Sequence, residues 1–146
     1  MRRVVIDTSA LVCFRFRESQ WQNVTPLIQA IVTGEVIAFA PEHSLLELMQ
    51  ATRKKANSAG VSDRTRFIRS HTDWFMALPI QYVAIDYLHS QRELRLLVNR
   101  GLGSYDAVFV WLARDRSATL CTRDRGQIGG APASVRKCDL RSVAFR

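Results

Sequence analysis

Residues 4–11 read Val-Val-Ile-Asp-Thr-Ser-Ala-Leu, and this stretch decides the fold class. It opens with three β-branched residues, a short continuous apolar run of the kind found in strands that are buried on both faces. Similar runs recur at residues 36–40, 82–85 and 118–121, with a weaker one at 135–140. Helical patterns lie between them, and parallel strands need long connections that are usually helical. The sequence therefore predicts an α/β fold in which helices cover both faces of a mainly parallel sheet.

The helical segments are recognised by the spacing of their apolar residues and by the residues that begin or end them. Gly34 is a plausible end for one helix, and Pro41 is a plausible start for the next. The predicted helices cover residues 22–32, 41–57, 62–75, 87–99 and 104–114. Residues 126–133 contain three glycines and one proline, so a surface loop is predicted there.

The bulk composition suits one compact domain. A length of 146 residues with 47% hydrophobic content is enough for a single core, so we expect one domain over residues 1–146. No apolar run is long enough to span a membrane, and the basic N-terminus reaches Asp7 too soon for a signal peptide. These features predict a cytoplasmic protein that does not enter a membrane. Cys13, Cys121 and Cys138 are far apart, which favours small buried side chains over disulfides or zinc ligands.

An excess of basic residues indicates the class of partner. The chain has 21 Lys and Arg against 13 Asp and Glu, a formal net charge of +8. This excess favours a polyanionic partner, nucleic acid first, although many basic domains owe their charge to solubility alone. The candidate phosphate contacts are basic residues on two consecutive predicted helices: Arg53, Lys54 and Lys55, then Arg64, Arg66 and Arg69. A solvated helix face is the alternative for each of them.

Four acidic residues stand where a parallel sheet would bring them together. They are Asp7, Glu47, Asp106 and Asp124. Asp7 and Asp124 each follow a predicted strand, Glu47 lies on a helix that follows another strand, and Asp106 opens an apolar helix. Each has an ordinary alternative: helix capping for Asp7, a favourable place in the first turn of a helix capped by Ser104 for Asp106, a solvated face for Glu47, and a turn for Asp124. Because ligands bind beyond the carboxyl ends of parallel strands, the convergence of all four indicates a functional site.

The same four acids form a candidate metal site. Clustered carboxylates repel one another unless a cation neutralises them. Mg²⁺ or Mn²⁺ suits an all-oxygen site, because these ions bind carboxylates and water and leave room for a phosphate. We expect the three aspartates to hold the metal and Glu47 to position the metal or its water. Ser9 and Thr122 are candidates to hydrogen-bond the acids from behind, although capping at strand ends explains both equally well.

At this point the residues resemble a known family, the PIN domains, and within it the VapC-type toxins of bacterial toxin–antitoxin pairs. The matching pieces are residues 5–11, Glu47 after the second strand, Tyr105-Asp106-Ala107 before a buried helix, and Thr122-Arg123-Asp124 after a late strand. The resemblance covers nearly the whole chain. It implies a three-layer sandwich with a five-stranded sheet, Mg²⁺- or Mn²⁺-dependent cleavage of RNA by the four acids, a homodimer and an inhibitory antitoxin partner. Two segments depart from the family pattern: residues 92–100 are not alanine-rich, and Gln127-Ile128-Gly129-Gly130 replaces a more aromatic continuation.

The main alternative is a catalytically silent PIN-like domain that only binds RNA or protein. A repulsive cluster of four acids gives such a binder no obvious advantage. A HAD-type phosphatase needs a second aspartate where this chain has Ser9. A receiver domain needs paired acids near the end of the first strand, and these are absent. Residues 101–104 offer part of a dinucleotide fingerprint, but they lack a preceding strand and have Asp106 in place of the third glycine. The sequence therefore favours the ribonuclease.

Overall fold

The computed structural model describes residues 1–146, and a five-stranded sheet lies at its centre. The strands are β1 Arg2–Ile6, β2 Val36–Pro41, β3 Ile80–Val83, β4 Thr119–Thr122 and β5 Lys137–Asp139. Their order in the sheet is β3-β2-β1-β4-β5, and every neighbouring pair is parallel. The predicted α/β fold around a five-stranded, mainly parallel sheet is confirmed, and the sheet is parallel throughout.

Helices connect the strands and cover the sheet. They are α1 Thr8–Arg15, α2 Thr25–Val32, α3 Ser44–Ser58, α4 Arg64–Ala77, α5 Gln91–Asn99, α6 Ser104–Asp115 and α7 Arg125–Gly130, with a 3-10 turn at Trp21–Asn23. None of these helices has both the length and the apolar character needed to cross a membrane.

The sheet separates two apolar cores, because alternate residues of a strand point to opposite faces. Val4 and Ile6 of β1 pack in one core with residues of α1 and α2. Val5 packs in the other core with residues of α5 and α6. All three side chains are at most 1% exposed, as expected for a continuous β-branched run in a strand that is covered on both sides. Helices therefore close both faces, and the molecule has three layers.

Helix α6 is apolar on all sides because it is buried. Phe109 and Leu112 are fully buried, and the helix contacts β1, β2 and α5. The prediction of a buried helix after Asp106 is confirmed. Burial of this helix holds its N-terminal turn, and with it Asp106, at the carboxyl edge of the sheet.

The predicted surface loop at residues 126–133 is wrong over its first half, where the chain forms α7. Its glycines hide the helix from an argument based on propensity. Gly130 packs against Leu102 so closely that an added Cβ would lie 2.7 Å from that side chain, which explains a glycine at this position. Gln127, which a surface loop would expose, is only 1% exposed.

Three further boundaries differ from the sequence predictions. Pro41 ends β2 and does not open α3, which begins at Ser44. Strand β3 begins two residues earlier than predicted, at Ile80. The helix predicted from residue 87 begins only at Gln91, because a turn precedes it in which Asp86 Oδ1 accepts a hydrogen bond from the backbone N–H of His89 at 3.0 Å.

The strand order creates a crevice at the carboxyl edge of the sheet. From β1 the chain leads to β2 on one side and later returns as β4 on the other side, so the connections diverge above β1. Open α/β sheets bind ligands at such a point. Asp7 follows β1 directly, and Asp124 lies two residues beyond the end of β4.

Candidate active site

A cleft of about 630 Å³ opens at the crevice, and all four predicted acids line it. The lining also includes residues that bear on the chemistry of the cleft: Ser9, Glu18, His43, Lys54, Tyr105 and Gln127. The parallel strands and the buried helix α6 therefore gather Asp7, Glu47, Asp106 and Asp124 around one space.

Asp7 is anchored at the end of β1 by four hydrogen bonds. Its Oδ2 accepts from Ser9 Oγ at 2.5 Å, from the Ser9 backbone N–H at 3.3 Å and from Thr122 Oγ1 at 3.0 Å. Its Oδ1 accepts from Gln127 Nε2 at 3.1 Å. The bond to the Ser9 N–H makes Asp7 the N-cap of α1, so the ordinary capping role is real. A cap does not need three side-chain donors or a side chain that is 4% exposed, and these features set Asp7 apart.

Asp106 lies in the first turn of α6 and meets Asp7 through a shared partner. The same Gln127 Nε2 that donates to Asp7 also donates to Asp106 Oδ1 at 3.1 Å. The two carboxylate oxygens are therefore both within hydrogen-bonding distance of one nitrogen atom. Gly103, and not Ser104, is the N-cap of α6, so the capping alternative for this segment does not involve the Ser104 side chain.

Burial raises the pKa of the Asp7 carboxyl above its usual value, because the low-dielectric surroundings disfavour its charge. Hydrogen bonds from Ser9, Gln127 and Thr122 lower the pKa but do not cancel the effect. Burial also raises the pKa of Asp106, and the charges of Asp124 and Glu47 raise it further. The acids therefore act on one another, and a positive charge among them would be stabilising.

Asp124 caps α7 and is linked to Asp7 through Thr122. Its Oδ1 accepts from the backbone N–H of Gln127 at 2.8 Å, so its N-cap role is also real. Its own backbone N–H donates to Thr122 Oγ1 at 2.9 Å, while that hydroxyl donates to Asp7 Oδ2. Thr122 is completely buried and ties the ends of β1 and β4 together. Ser9 makes a similar link, because its Oγ accepts from the Arg123 backbone N–H at 3.3 Å.

Glu47 borders the cleft from α3 and is paired with His43 one turn earlier. His43 Nε2 lies 3.1 Å from Glu47 Oε1. The His43 ring packs against Tyr105 and Phe109, with centroids 5.2 and 5.3 Å away. This packing fixes the ring beside Glu47. The two side chains lie within ion-pair distance, but they form no hydrogen bond with each other.

The face of α3 that enters the core differs from the one that its leucines suggest. The buried residues are Ser44, Leu48, Thr52 and Ala56, at a spacing of four. Leu46 is 68% exposed and lines the cleft, and Met49 is 48% exposed. The apolar side chains of Leu45, Leu46, Leu48 and Met49 predict one buried stripe with Glu47 opposite it; this prediction is wrong, and Leu46 gives the cleft an apolar wall beside Glu47.

The predicted basic contacts are dispersed. Lys54 lines the cleft, whereas Arg53 is exposed on α3 outside it. Lys55 Nζ lies 2.6 Å from Glu18 Oε1 and is thus paired with an acid. Arg123 also contacts Glu18, with 3.3 Å between Arg123 NH1 and Glu18 Oε2. On α4, Arg66 and Arg69 line a separate depression together with two aspartates, and Arg64 lies exposed at the start of the helix.

The donor set fits a hard divalent cation in its chemistry. It consists of carboxylate oxygens, and the pKa values of the Asp7 and Asp106 carboxyls are raised. Both of these carboxylates accept a hydrogen bond from Gln127 Nε2. No three His, Cys, Asp or Glu side chains approach closely enough in this arrangement to hold an ion together. The Asp7–Asp106 pair is therefore the part of the predicted centre that the fold draws together, while Glu47 and Asp124 border the same cleft.

Three residues of the site were not among the sequence candidates: His43, Glu18 and Gln127. The spacing of His43 and Glu47, four apart on one helix, was a usable signal for the first. Asp124-Arg125-Gly126-Gln127 has the spacing of a helix capping box, which was a usable signal for a helix and for Gln127. Glu18 lies between helices and carries no pattern that would distinguish it from any surface acid.

The comparisons with known proteins agree with this architecture. The family model of the PIN domain matches residues 4–129. The crystal structure of PAE2754 from Pyrobaculum aerophilum is similar with a TM-score of 0.64 at 20% sequence identity, over 93% of this chain and 83% of that one. The crystal structure of FitAcB from Neisseria gonorrhoeae is similar with a TM-score of 0.55 at 15% identity, over 94% of this chain and 97% of that one. At these identities the two likenesses show a shared fold. No curated protein matches the chain.

Proposed function

The chain belongs to the PIN domain family, whose members are generally nucleases that use divalent metal ions, and we propose that it is a metal-dependent endoribonuclease. The reaction is the hydrolysis of RNA phosphodiester bonds with Mg²⁺ or Mn²⁺. We further propose that the whole chain forms one nuclease domain.

One observation carries this proposal: Asp7 is buried beside Asp106 in a cleft that Glu47 and Asp124 also line. A buried carboxylate with a raised pKa costs stability, so a purely structural role would favour a neutral side chain. The protein as a whole is strongly basic, with a formal net charge of +8, yet its main cleft is acidic. A metal-dependent nuclease needs this combination, because a cation bound by the acids offsets their repulsion of the anionic substrate.

The side chains have separate parts in the proposed reaction. Asp7 and Asp106 would hold the cation, with Asp124 and Glu47 beside it. When bound, the cation supplies a Lewis acid that lowers the pKa of a water molecule and offsets charge on the phosphate. The water oxygen forms a bond to phosphorus, the bond to the leaving sugar oxygen breaks, and a proton ends on that oxygen.

The remaining contacts prepare the acids for this role. Ser9 and Thr122 bind Asp7 Oδ2 and so turn Oδ1 toward Asp106. His43 limits the positions of Glu47, which would then accept a hydrogen bond from the attacking water. Lys54, at the rim of the cleft, would contact a phosphate of the RNA, and Arg53 and Lys55 would contribute more weakly.

The proposed biological setting rests on the resemblance of the sequence to VapC-type toxins. We propose that the chain is the toxin of a VapBC-type toxin–antitoxin pair, that it acts in the cytoplasm as a homodimer, and that a cognate antitoxin protein inhibits it. Exposed apolar side chains beside the cleft, Leu46 and Met49, would suit contact with such a protein.

The test is incubation of the purified protein with a labelled single-stranded RNA in EDTA, in Mg²⁺ and in Mn²⁺. Cleavage that requires either ion supports the proposal. Retention of the RNA without cleavage under all three conditions would support the catalytically silent, RNA-binding alternative. Measuring RNA binding in EDTA on the same preparation shows that a negative cleavage result does not arise from unfolded protein.

A further inference from the structure

Gln127 contacts both members of the buried acid pair, and the nuclease chemistry above gives it no part. The side chain is 1% exposed. Its Nε2 donates one hydrogen bond to Asp7 Oδ1 and another to Asp106 Oδ1, each at 3.1 Å. The two hydrogens of one amide group therefore bind two different carboxylates. This places the positive end of the amide dipole between two negative groups.

The local sequence explains why the Gln127 side chain is free to do this. In a capping box the residue three positions after the N-cap usually bonds back to the N-cap backbone N–H. Here the N-cap is Asp124, and its N–H already donates to Thr122 Oγ1 at 2.9 Å. Asp124 Oδ1 still accepts from the Gln127 N–H at 2.8 Å, so the backbone half of the box is intact. The amide of Gln127 has lost its usual partner and reaches the acid pair instead.

The two carboxylates alone determine which way the amide is turned. Gln127 Oε1 is buried and accepts no hydrogen bond from the protein. On Asp7, Oδ2 is occupied by Ser9 and Thr122, so Oδ1 is the oxygen that remains for the space shared with Asp106. The Gln127 nitrogen donates a hydrogen bond to that oxygen. A cation held by Asp7 and Asp106 would therefore compete with the amide for these carboxylates.

We propose that the Gln127 amide stands in for the divalent cation in the metal-free protein and competes with it for Asp7 and Asp106. The inference rests on the proposed metal-dependent function and makes Gln127 a positioning residue that sets metal affinity. The amide reduces repulsion within the pair, which stabilises the metal-free state. A bound cation must displace the amide, which weakens metal binding. Removal of the amide therefore has opposite effects on these two properties.

Gln127→Met tests this, because methionine has a similar length and no strong hydrogen-bonding group. Thermal unfolding in EDTA and calorimetric titration with Mn²⁺ alone, without RNA, measure the two properties. The unfolding midpoint falls by about 3–8 °C, since two hydrogen bonds to charged groups are lost. The dissociation constant for Mn²⁺ falls about tenfold, since the ion no longer breaks those bonds. Gln50→Met is the matched control: Gln50 lines the same cleft but makes no hydrogen bond to an acid, so both quantities stay at their wild-type values.

The outcomes separate this inference from the nuclease proposal. If Gln127 had only a structural role, Gln127→Met would lower stability and leave Mn²⁺ affinity unchanged or weaker. An unchanged or a weaker Mn²⁺ affinity in the variant overturns the inference, and the nuclease proposal still stands. Absence of Mn²⁺ binding to both wild type and variant overturns the metal-dependent function and the inference with it. If Gln127→Met does not fold, Gln127→Leu decides in the same way, and Mn²⁺ binding by that variant no tighter than wild type overturns the inference.

Discussion

Asp7 uses its two carboxylate oxygens for different purposes. Oδ2 is held by Ser9 and Thr122 and serves as the cap of α1, while Oδ1 faces Asp106 across the Gln127 amide. At the scale of single residues, the sequence could predict the acids but not choose between capping and catalysis. Both roles require an acid at the same place, at a strand end before a helix. Only the burial of Asp7 and its partner across the cleft distinguish them, and both depend on residues distant in sequence.

Asp7→Asn should remove cleavage and stabilise the metal-free protein. Mutation of a residue that only hydrogen-bonds a metal ligand already lowers metal affinity or activity by about 10–100-fold. Loss of the proposed ligand itself should therefore lower the cleavage rate by more than about 100-fold. Stability moves the other way, because the neutral amide carries no buried charge, and the unfolding midpoint in EDTA rises. Differential scanning calorimetry and a cleavage assay on the same preparation measure both. A fall in the midpoint would show that the carboxylate is retained for stability.

The pH dependence of metal-free stability follows from the raised pKa of Asp7. In the folded protein the carboxyl binds its proton more tightly than in the unfolded chain. Its charged form therefore destabilises the fold, and this penalty is lost as the pH falls through the raised pKa toward the ordinary value. The extra stability of Asp7→Asn over wild type should be full at pH 7 and shrink as the pH is lowered toward 4.

Urea denaturation of both proteins in EDTA at several pH values gives this difference directly. The difference between the two proteins isolates Asp7 from opposing groups such as Asp139, whose pKa is lowered by its hydrogen bonds from Arg141. A difference in unfolding free energy that stays constant with pH would show that the charge of the Asp7 carboxyl is not the source of the destabilisation.

At the scale of elements, the turn between β4 and α7 organises the site. Thr122 ends β4, Asp124 caps α7, and Gln127 projects from the first turn of α7. Strands β1 and β4 were predictable because continuous β-branched or apolar runs are typical of buried parallel strands. Helix α7 was not predictable from propensity, because its glycines lower helix propensity and Gly130 packs against Leu102; only the capping-box spacing of Asp124 and Gln127 indicated a helix there.

Thr122→Val should weaken both the fold and the reaction, because it keeps the shape of the side chain and removes the hydroxyl. The Asp124 backbone N–H and Asp7 Oδ2 each lose a partner, which costs about 1–3 kcal/mol of unfolding free energy. Cleavage falls about 10–100-fold, as expected when a residue that orients a ligand is removed. Thr122→Ser keeps the hydroxyl and is the control, with activity within a few-fold of wild type. Equal cleavage by the valine and serine variants would show that the link between the strand ends is not needed.

At the scale of the whole molecule, an acidic cleft lies in a protein of net charge +8. The layered architecture was predictable, since the alternation of strand and helix patterns leaves few other solutions. The distribution of charge over the surface was not, because Lys55 and Arg123 are both paired with Glu18, which is distant from them in sequence. Similarly, the exposure of Leu46 depends on how α3 is rotated against its neighbours, which its own residues do not reveal.

Lys54→Ala should reduce the salt dependence of RNA binding. Loss of one phosphate contact lowers the slope of log affinity against log salt by about 0.7, the value for single strands. Filter binding in the non-cleaving Asp7→Asn background measures the slope without loss of substrate. Arg95→Ala is the control, because Arg95 is exposed on α5 and does not line the cleft. An unchanged slope for Lys54→Ala, or an equal change for Arg95→Ala, would remove Lys54 from the proposed RNA path.

The rate of cleavage of one labelled RNA as a function of Mn²⁺ concentration shows whether the acids of this cleft cleave RNA with a divalent metal. Wild type, Asp7→Asn and Asp106→Asn should be purified in parallel. Wild-type cleavage should rise with Mn²⁺, stop in EDTA and be lost in both variants, while all three proteins remain folded. Cleavage by either variant at the wild-type rate, or cleavage by wild type that is unaffected by EDTA, would show that these acids do not cleave RNA with a metal.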